Sequence, residues 1–212
     1  MKIEYLNHFG NDLMVANVAR VSFGKWKSTQ DEKDEKLINY LAEHKHKSPF
    51  FHPQLQTRVS CPIFVANQLK RHQIGFAINE ISRRYVDTEP SVYVPLQFRN
   101  RPVNKKQGSD GDFSWVENAD ATEIYHTSMH LSLNFYQELL NKGVAPEQAR
   151  AVLPQSTYTE FVWTGSLYAY FNMFKMRTAE DAQKETCELV KQLDPIMKEH
   201  YPISWEALKK YA

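Results

Sequence analysis

The chemistry of this chain concentrates between Arg71 and Tyr85. Arg71, His72, Arg83 and Arg84 stand close in sequence to one carboxylate, Glu80, with Gln73, Asn79 and Ser82 as neutral donors and acceptors. Ile74, Phe76, Ile78 and Ile81 interrupt the polar residues, so the segment is expected to be pinned to a core. Planar guanidinium donors held in place match phosphate oxygens in pairs. Each residue alone has a plainer reading: a cation at a helix C-terminus, a solvated arginine, or a surface partner for Glu80. Together they point to an anionic ligand.

Two further positions extend the cluster. Gln68 precedes Arg71 by three residues, a spacing that puts both on one face of a helix. An amide and a cation on one face can read a uracil-like edge and a nearby anion, or can form an ordinary surface face. Arg177 ends a helical stripe through Ser166, Tyr170 and Met173, since eleven steps of about 100° return to within about 20° of the start. Its plainer role is to complement the helix dipole. His44, His46 and His52 could form a zinc set. Against that, no carboxylate lies in the segment and Pro49 breaks any helix.

These residues need elements to hold them. Alternation predicts strands over residues 2–6, 55–61 and 158–164, with a short one at 92–94. Asn11 and Asp12 cap a short helix through Leu13, Val15, Val18 and Ala19, and a loop follows over 24–30. A helix over 31–43 turns Leu37, Ile38 and Leu41 inward. Pro62 takes the first position of a helix running toward Arg71, where its missing N–H costs nothing. Residues 99–116, polar with Pro102, Gly108 and Gly111, are expected to be a mobile loop, an insertion of no consequence rather than a lid. A long helix over 119–141 turns Leu131, Leu133, Phe135, Leu139 and Leu140 to its apolar side, and Lys142-Gly143 ends it. Pro146 opens and Pro154 closes a short helix carrying Arg150. Ser166 opens the helix that ends near Arg177. A core helix over 186–201 and a segment over 205–211 complete the chain.

Composition limits the function classes. The chain has 212 residues, with 26 Lys and Arg against 25 Asp and Glu, a formal net charge of +1. A dedicated nucleic-acid binder is strongly basic; this balance leaves room only for a local basic pocket. Hydrophobic residues at 42% and aromatics at 13% suffice for a real core. With no linker and no internal repeat, one domain over residues 1–212 is expected. Cys61 and Cys187 fall outside any metal or redox spacing and read as reduced thiols of a cytoplasmic protein. The first residues make no signal peptide, and no apolar run reaches the length of a membrane span. The seven glycines are scattered, so a Gly-rich dinucleotide loop is absent.

The central stretch resembles the signature of the flavin-dependent thymidylate synthases: Arg-His-Arg, a short spacer, then Asn-Glu-x-Ser-x-Arg-Tyr. Here it reads Arg71-His72-Gln73, then Asn79-Glu80-Ile81-Ser82-Arg83-Arg84-Tyr85. Gln73 replaces the third cation, and a spacer one residue longer is absorbed in the turn around Gly75. Further motifs follow the family. Ala19 to Phe23 is similar to its Ala-Arg-Val-Ser-Phe run. His46, Ser48, Pro49, Phe50 and His52 match a flavin-contacting His-x-Ser/Thr-Pro-Phe-x-His segment, with Phe51 in place of a frequent Glu. Arg150, Leu153 and Pro154 match Ala-Arg-x-x-Leu-Pro, whose Arg binds the nucleotide phosphate. Arg177, Ala182, Gln183 and Glu185 match Arg-x-x-x-x-Ala-Gln-x-Glu, whose Arg grips the uracil. Asn172 matches a flavin-contacting Asn, whereas Ser166, Tyr168 and Asp181 depart from the family's usual residues. The likeness runs from about Ala19 to about Lys210, apart from residues 99–116.

The resemblance implies an α+β fold, a mixed or antiparallel sheet flanked by helices. It implies methylation of deoxyuridine monophosphate (dUMP) at C5 to give dTMP. Methylenetetrahydrofolate would supply the carbon, and FAD, reduced by NADPH, the hydride. It gives Arg177 the catalytic role. FAD would be held by His46, Ser48, Arg71, His72, Gln73, Asn79, Glu80, Ser166, Tyr168 and Asn172. The nucleotide would be held by Gln68, Arg71, Glu80, Ile81, Ser82, Arg83, Arg84, Arg150 and Arg177. A homotetramer with sites shared between subunits is implied, without metal, nucleic-acid or membrane partners. Ser82 has no adjacent base, so it is expected to hydrogen-bond the nucleotide rather than attack it. Two other classes stay open: a non-catalytic nucleotide- or RNA-binding module using the 71–84 cluster, and a metal-dependent hydrolase around His44, His46 and His52.

Overall fold

The structure, a computed structural model, describes residues 1–103 and 108–212. Two long strands carry the period-two pattern. β2 (Gln54–Pro62) buries Leu55, Thr57, Val59 and Cys61, and β6 (Tyr158–Ser166) buries Thr159, Phe161 and Trp163. Their register sets Thr57 against Trp163 and Val59 against Phe161, so the buried sets share one face. β1 (Lys2–Phe9) pairs with β2, and β3 (Phe76–Glu80) with β6, in the order β1-β2-β6-β3. Every pairing in this sheet is antiparallel.

Helices α1 (Asp12–Arg20), α2 (Glu32–Glu43), α6 (Leu167–Arg177) and α9 (Pro202–Lys210) pack with the sheet into one apolar cluster that includes Ile38, Trp163, Tyr170 and Trp205. Asn11 caps α1, accepting the Met14 N–H at 3.1 Å. Asp12, expected to share that cap, instead accepts the N–H groups of Ile203 and Ser204 at 2.9 and 2.8 Å. It therefore caps α9, where Pro202 leaves fewer amides to satisfy.

The expected helix over 186–201 is two helices, α7 (Lys184–Lys191) and α8 (Leu193–His200). Pro195 sits in the first turn of α8 and cannot donate to a preceding turn. The long helix α4 (Trp115–Asn141) begins earlier than expected, because Ser114 and Glu117 form a capping box. Of the expected 99–116 loop, residues 104–107 lie outside the described residues. Its flanks form a ribbon, β4 (Arg99–Asn100) with β5 (Asp110–Asp112). The expected apolar side of α4 is packed only in part: Leu133, Leu139 and Leu140 are half-buried and Tyr136 is buried, whereas Leu131 and Phe135 are 47% and 53% exposed.

Smaller differences follow from the same rules. Residues 92–94 make one bridge, Val92 to Thr157, rather than a strand. Pro62 ends β2, and helix α3 (Ile63–Leu69) starts just after it. The short helix near Arg150 is α5 (Pro146–Ala149) continued by a 3-10 turn, Arg150–Val152. Within the central stretch, alternation along β3 packs Phe76 and Ile78 on the core. Ile74 and Ile81, expected to be anchors, are 86% and 43% exposed.

Candidate active site

The site is built where α3, β3 and α6 meet. α3 ends at Leu69, and the chain turns through Gly75, whose φ is +79°. A Cβ there would lie 3.0 Å from the Ala169 Cβ, so the turn rests directly on the start of α6. Gly165 gives the matching clearance on β6: a Cβ there would fall 2.3 Å from the Phe76 ring. The Ser166 N–H donates to the Gly75 carbonyl at 3.1 Å, and Ser166 Oγ accepts the Ala169 N–H at 3.2 Å. These contacts fix α6 at its N-terminus.

The far end of α6 then reaches back to α3. Arg177 Nε donates to His72 Nε2, and Arg177 Nη2 donates to the Gln68 carbonyl, both at 2.9 Å. Nη1 makes no hydrogen bond among the described residues. The Gln68 side-chain amide donates to Gln183 Oε1 and accepts from Thr186 Oγ1 at 3.1 Å. Gln183 donates to Glu185 at 2.9 Å, and Arg99 Nη2 donates to the other oxygen of Glu185 at 2.7 Å. Gln68, Arg99, Arg177 and Gln183 line an open cleft of about 1370 Å³.

The electrostatics follow from these contacts. Burial and the nearby Arg177 both lower the His72 pKa. Because Nε2 accepts from Arg177, the neutral ring carries its proton on Nδ1. Burial lowers the Arg177 pKa, yet a guanidinium stays charged in a protein. Burial pushes the Glu185 carboxyl up, but hydrogen bonds from Gln183 and Arg99 outweigh it, leaving the pKa below the ordinary value.

Gln68, His72 and Arg177 are thus brought together. Arg71, Gln73 and Asn79 are exposed near them in sequence. Glu80 is engaged by Lys70 Nζ and by Thr159 Oγ1 at 2.6 Å. Past Ile81, which is exposed, the Ser82 hydroxyl accepts from the backbone N–H and Nε of Arg84 at 3.3 and 3.4 Å. Arg83 donates to the Thr88 carbonyl, and the Arg84 guanidinium lies 5.0 Å from the Tyr85 ring centre. No carboxylate or imidazole contacts Ser82 among the described residues. Arg150 is exposed, donates to the Glu147 carbonyl, and does not line the cleft. Ser166 is buried as the cap of α6.

His46, Tyr168 and Asn172 meet elsewhere, around a cavity of about 260 Å³ that Lys47 and Lys175 also line. The Phe51 and Tyr168 rings lie 5.0 Å apart there, and Lys47 Nζ is 5.7 Å from the Tyr168 ring centre. Ser48 is exposed at the start of a 3-10 turn and is not part of that wall. His44 stacks on Tyr40 at 4.0 Å and bonds its carbonyl through Nδ1. Among the described residues no three His, Cys, Asp or Glu side chains are grouped to hold a metal. Cys61 is buried and its pKa is pushed up to about 12. Lys70, Lys175 and Arg99 were not singled out by sequence. Lys70 sits inside the motif region, but Arg99 lies in a polar stretch that carries no signal.

The chain matches the family described as thymidylate synthase complementing protein over residues 4–203. It belongs to that family. Two flavin-dependent thymidylate synthases illustrate the relationship. The protein from Thermosipho africanus is 38% identical over 210 residues, 99% of this chain and 91% of that protein. A protein from Thermus thermophilus is 36% identical over 209 residues, 99% of this chain and 76% of that protein. Among solved structures, a UMP/dUMP methylase, PolB from Streptomyces cacaoi bound with 5-Br dUMP, superimposes with a TM-score of 0.89. The identity is 27%, covering 99% of this chain and 95% of that one. The α+β architecture is therefore that of the thymidylate synthase complementing protein family. No helix among the described residues of this family member is long and apolar enough to cross a membrane.

Proposed function

We propose that this chain is a flavin-dependent thymidylate synthase that methylates dUMP at C5 to form dTMP. The observation that carries the reading is Arg177. Its guanidinium is fixed by His72 and the Gln68 carbonyl at the wall of the large cleft, with Nη1 left for a ligand. Pyrimidine C5 is a weak nucleophile until negative charge builds on the ring. A preorganised cation beside that charge stabilises it without reorganisation. Arg71 and Arg84, both exposed, suit the nucleotide phosphate.

The donor set fits FAD. His72 Nδ1–H, Gln73 and Arg71 offer donors before the Gly75 turn and Asn79 another on β3, and His46, Tyr168 and Asn172 offer a second group beside the Lys47 and Lys175 cations. Those residues would hold the cofactor, and Glu80 would add an acceptor. When bound, FAD supplies the hydride that takes the transferred carbon to a methyl group. Methylenetetrahydrofolate as carbon donor and NADPH as the source of reducing equivalents complete the reaction. Ser82 accepts hydrogen bonds from Arg84 and contacts no base among the described residues, so it orients the nucleotide and forms no bond to it. A buried thiol with a raised pKa gives no thiolate route through Cys61.

We read the chain as one cytoplasmic domain that assembles into a homotetramer. Two features support shared sites. Arg150 does not line the cleft of its own chain. One face of α4 carries Ile124, Leu131 and Phe135, which stay 72%, 47% and 53% exposed within the described residues. The test is the visible spectrum of the purified protein, recorded before and after dUMP. Flavin bands that shift with the nucleotide are expected; a protein that neither holds nor takes up FAD overturns the reading.

A further inference from the structure

The ribbon that sequence alone left as an inconsequential loop is wired into the site. Ser109 Oγ accepts from Arg99 Nε at 2.8 Å, and Arg99 Nη2 donates to Glu185 at 2.7 Å. Glu185 is 6% exposed, so this is a partly buried pair rather than a surface one. From Glu185 the contacts continue through Gln183 to Gln68, whose own carbonyl receives Arg177. Residues 99 and 177 are thus joined through four elements by an unbroken run of hydrogen bonds.

Glu185 gives that run a direction. An ionised carboxylate only accepts. Arg99 occupies one oxygen and the Gln183 amide N–H the other, which turns the Gln183 carbonyl toward Gln68. Gln68 must then donate one N–H to Gln183 and accept at its own carbonyl from Thr186. The second N–H of the Gln68 amide has no partner among the described residues. Gln68 lines the same cleft as Arg177, so this N–H is the donor its fixed amide has left to offer. Without Glu185 in its charged form, both amides could flip with no loss of bond count, and the group facing the ligand would alternate between donor and acceptor.

Building on the assignment of this cleft to dUMP, we propose that Arg99 and Glu185 are positioning residues. They hold the Gln68 amide as a hydrogen-bond donor to an acceptor oxygen of the nucleotide and support Arg177 through the Gln68 backbone. The ribbon bearing Arg99 is on this account part of the nucleotide site. Neither Arg99 nor Glu185 touches the reacting atoms.

The test uses the flavin-loaded protein and dUMP as the probe, with affinity read from the change in flavin absorption and turnover from dTMP formed. Glu185→Gln keeps volume but can donate as well as accept, so it releases the amide direction. It is expected to weaken dUMP binding by about tenfold or more, with KM raised further than kcat falls and with flavin content unchanged. Arg99→Ala is expected to act alike, and Arg99→Lys to recover part of the loss. The Arg99→Ala, Glu185→Gln double variant is expected to be no worse than the poorer single one, since both act through one run. Unchanged dUMP affinity in both single variants overturns the proposal. Equal losses of flavin content and thermal stability that account for the lost turnover, without a rise in KM, overturn it too, because that is a purely structural role. Failure of the unmutated flavin-loaded protein to bind dUMP overturns instead the assignment of the cleft.

Discussion

Arg177 Nε donates to His72 Nε2 at 2.9 Å, across 105 positions of sequence. The contact ties the last residue of α6 to the turn after α3, and it orders both partners. The imidazole is held neutral with its proton on Nδ1, and the guanidinium is held through Nε and Nη2 at the wall of the cleft.

Removing that guanidinium should cost turnover more than folding. Arg177→Ala is expected to lower kcat by roughly 10²–10³-fold, the scale of losing one fixed donor to a developing oxyanion. Arg177→Lys restores charge but not the two fixed contacts, so it should recover only part. Steady-state kinetics beside a melting curve decide the point; an Arg177→Ala enzyme with kcat close to the parent's contradicts the role.

Ser82 should behave differently. Ser82→Ala is expected to retain measurable turnover, with KM for dUMP raised, because the hydroxyl has Arg84 donors and no base among the described residues. Intact-mass spectrometry of the unmutated protein with dUMP should show no added nucleotide. A trapped Ser82 adduct together with full loss in the variant would assign it the nucleophilic role.

His72 gives a pH signature in stability. Its folded pKa lies below the ordinary value, through burial and then Arg177. As pH falls below about 6.5, the unfolded chain takes up a proton that the folded chain resists. The stability held by neutral His72 is therefore full above that pH and is lost as pH falls toward the folded pKa. Denaturant midpoints measured from about pH 7.5 down to about pH 5.5, across that window, should fall less steeply in His72→Gln than in the parent. Parallel curves would mean that His72 titrates alike in both states.

Gly75 is the backbone test. A non-glycine residue at φ +79° costs roughly 1–2 kcal/mol, and the Ala169 methyl group would have to give way by a few tenths of an ångström. For a chain of this length each kcal/mol lowers the melting temperature by about 2–4 °C. Gly75→Ala should therefore melt several degrees lower. A Gly75→Ala melting curve that overlays the parent's would show that the turn relaxes freely.

Much of this was legible in sequence, and the reasons differ by residue. Alternation over residues 55–61 and 158–164 located β2 and β6, because a strand half-buried on one face cannot hide its period. The spacing from Ser166 to Arg177 placed the guanidinium at a helix end. The strand character of residues 76–80 was obscured, since charges at both ends read as a turn. Glu80 found Lys70 at the end of α3 and Thr159 on β6, the latter a partner that only the β3–β6 pairing brings near. Arg99 and Glu185 are 86 positions apart and ordinary in type, so nothing local marks them as a pair. On α4, Leu133, Leu139 and Leu140 are half-buried as expected of an apolar side, but Leu131 and Phe135 are exposed, a difference that periodicity alone does not reveal.

The most direct test of the account is dTMP formation by the purified protein given FAD, NADPH, methylenetetrahydrofolate and dUMP, with each omitted in turn. The account predicts dTMP in the complete mixture, none without dUMP or the folate, and none from flavin-stripped protein until FAD is restored. A protein that holds flavin and dUMP yet forms no dTMP in the complete mixture, or that forms it equally without flavin, would contradict the central claim.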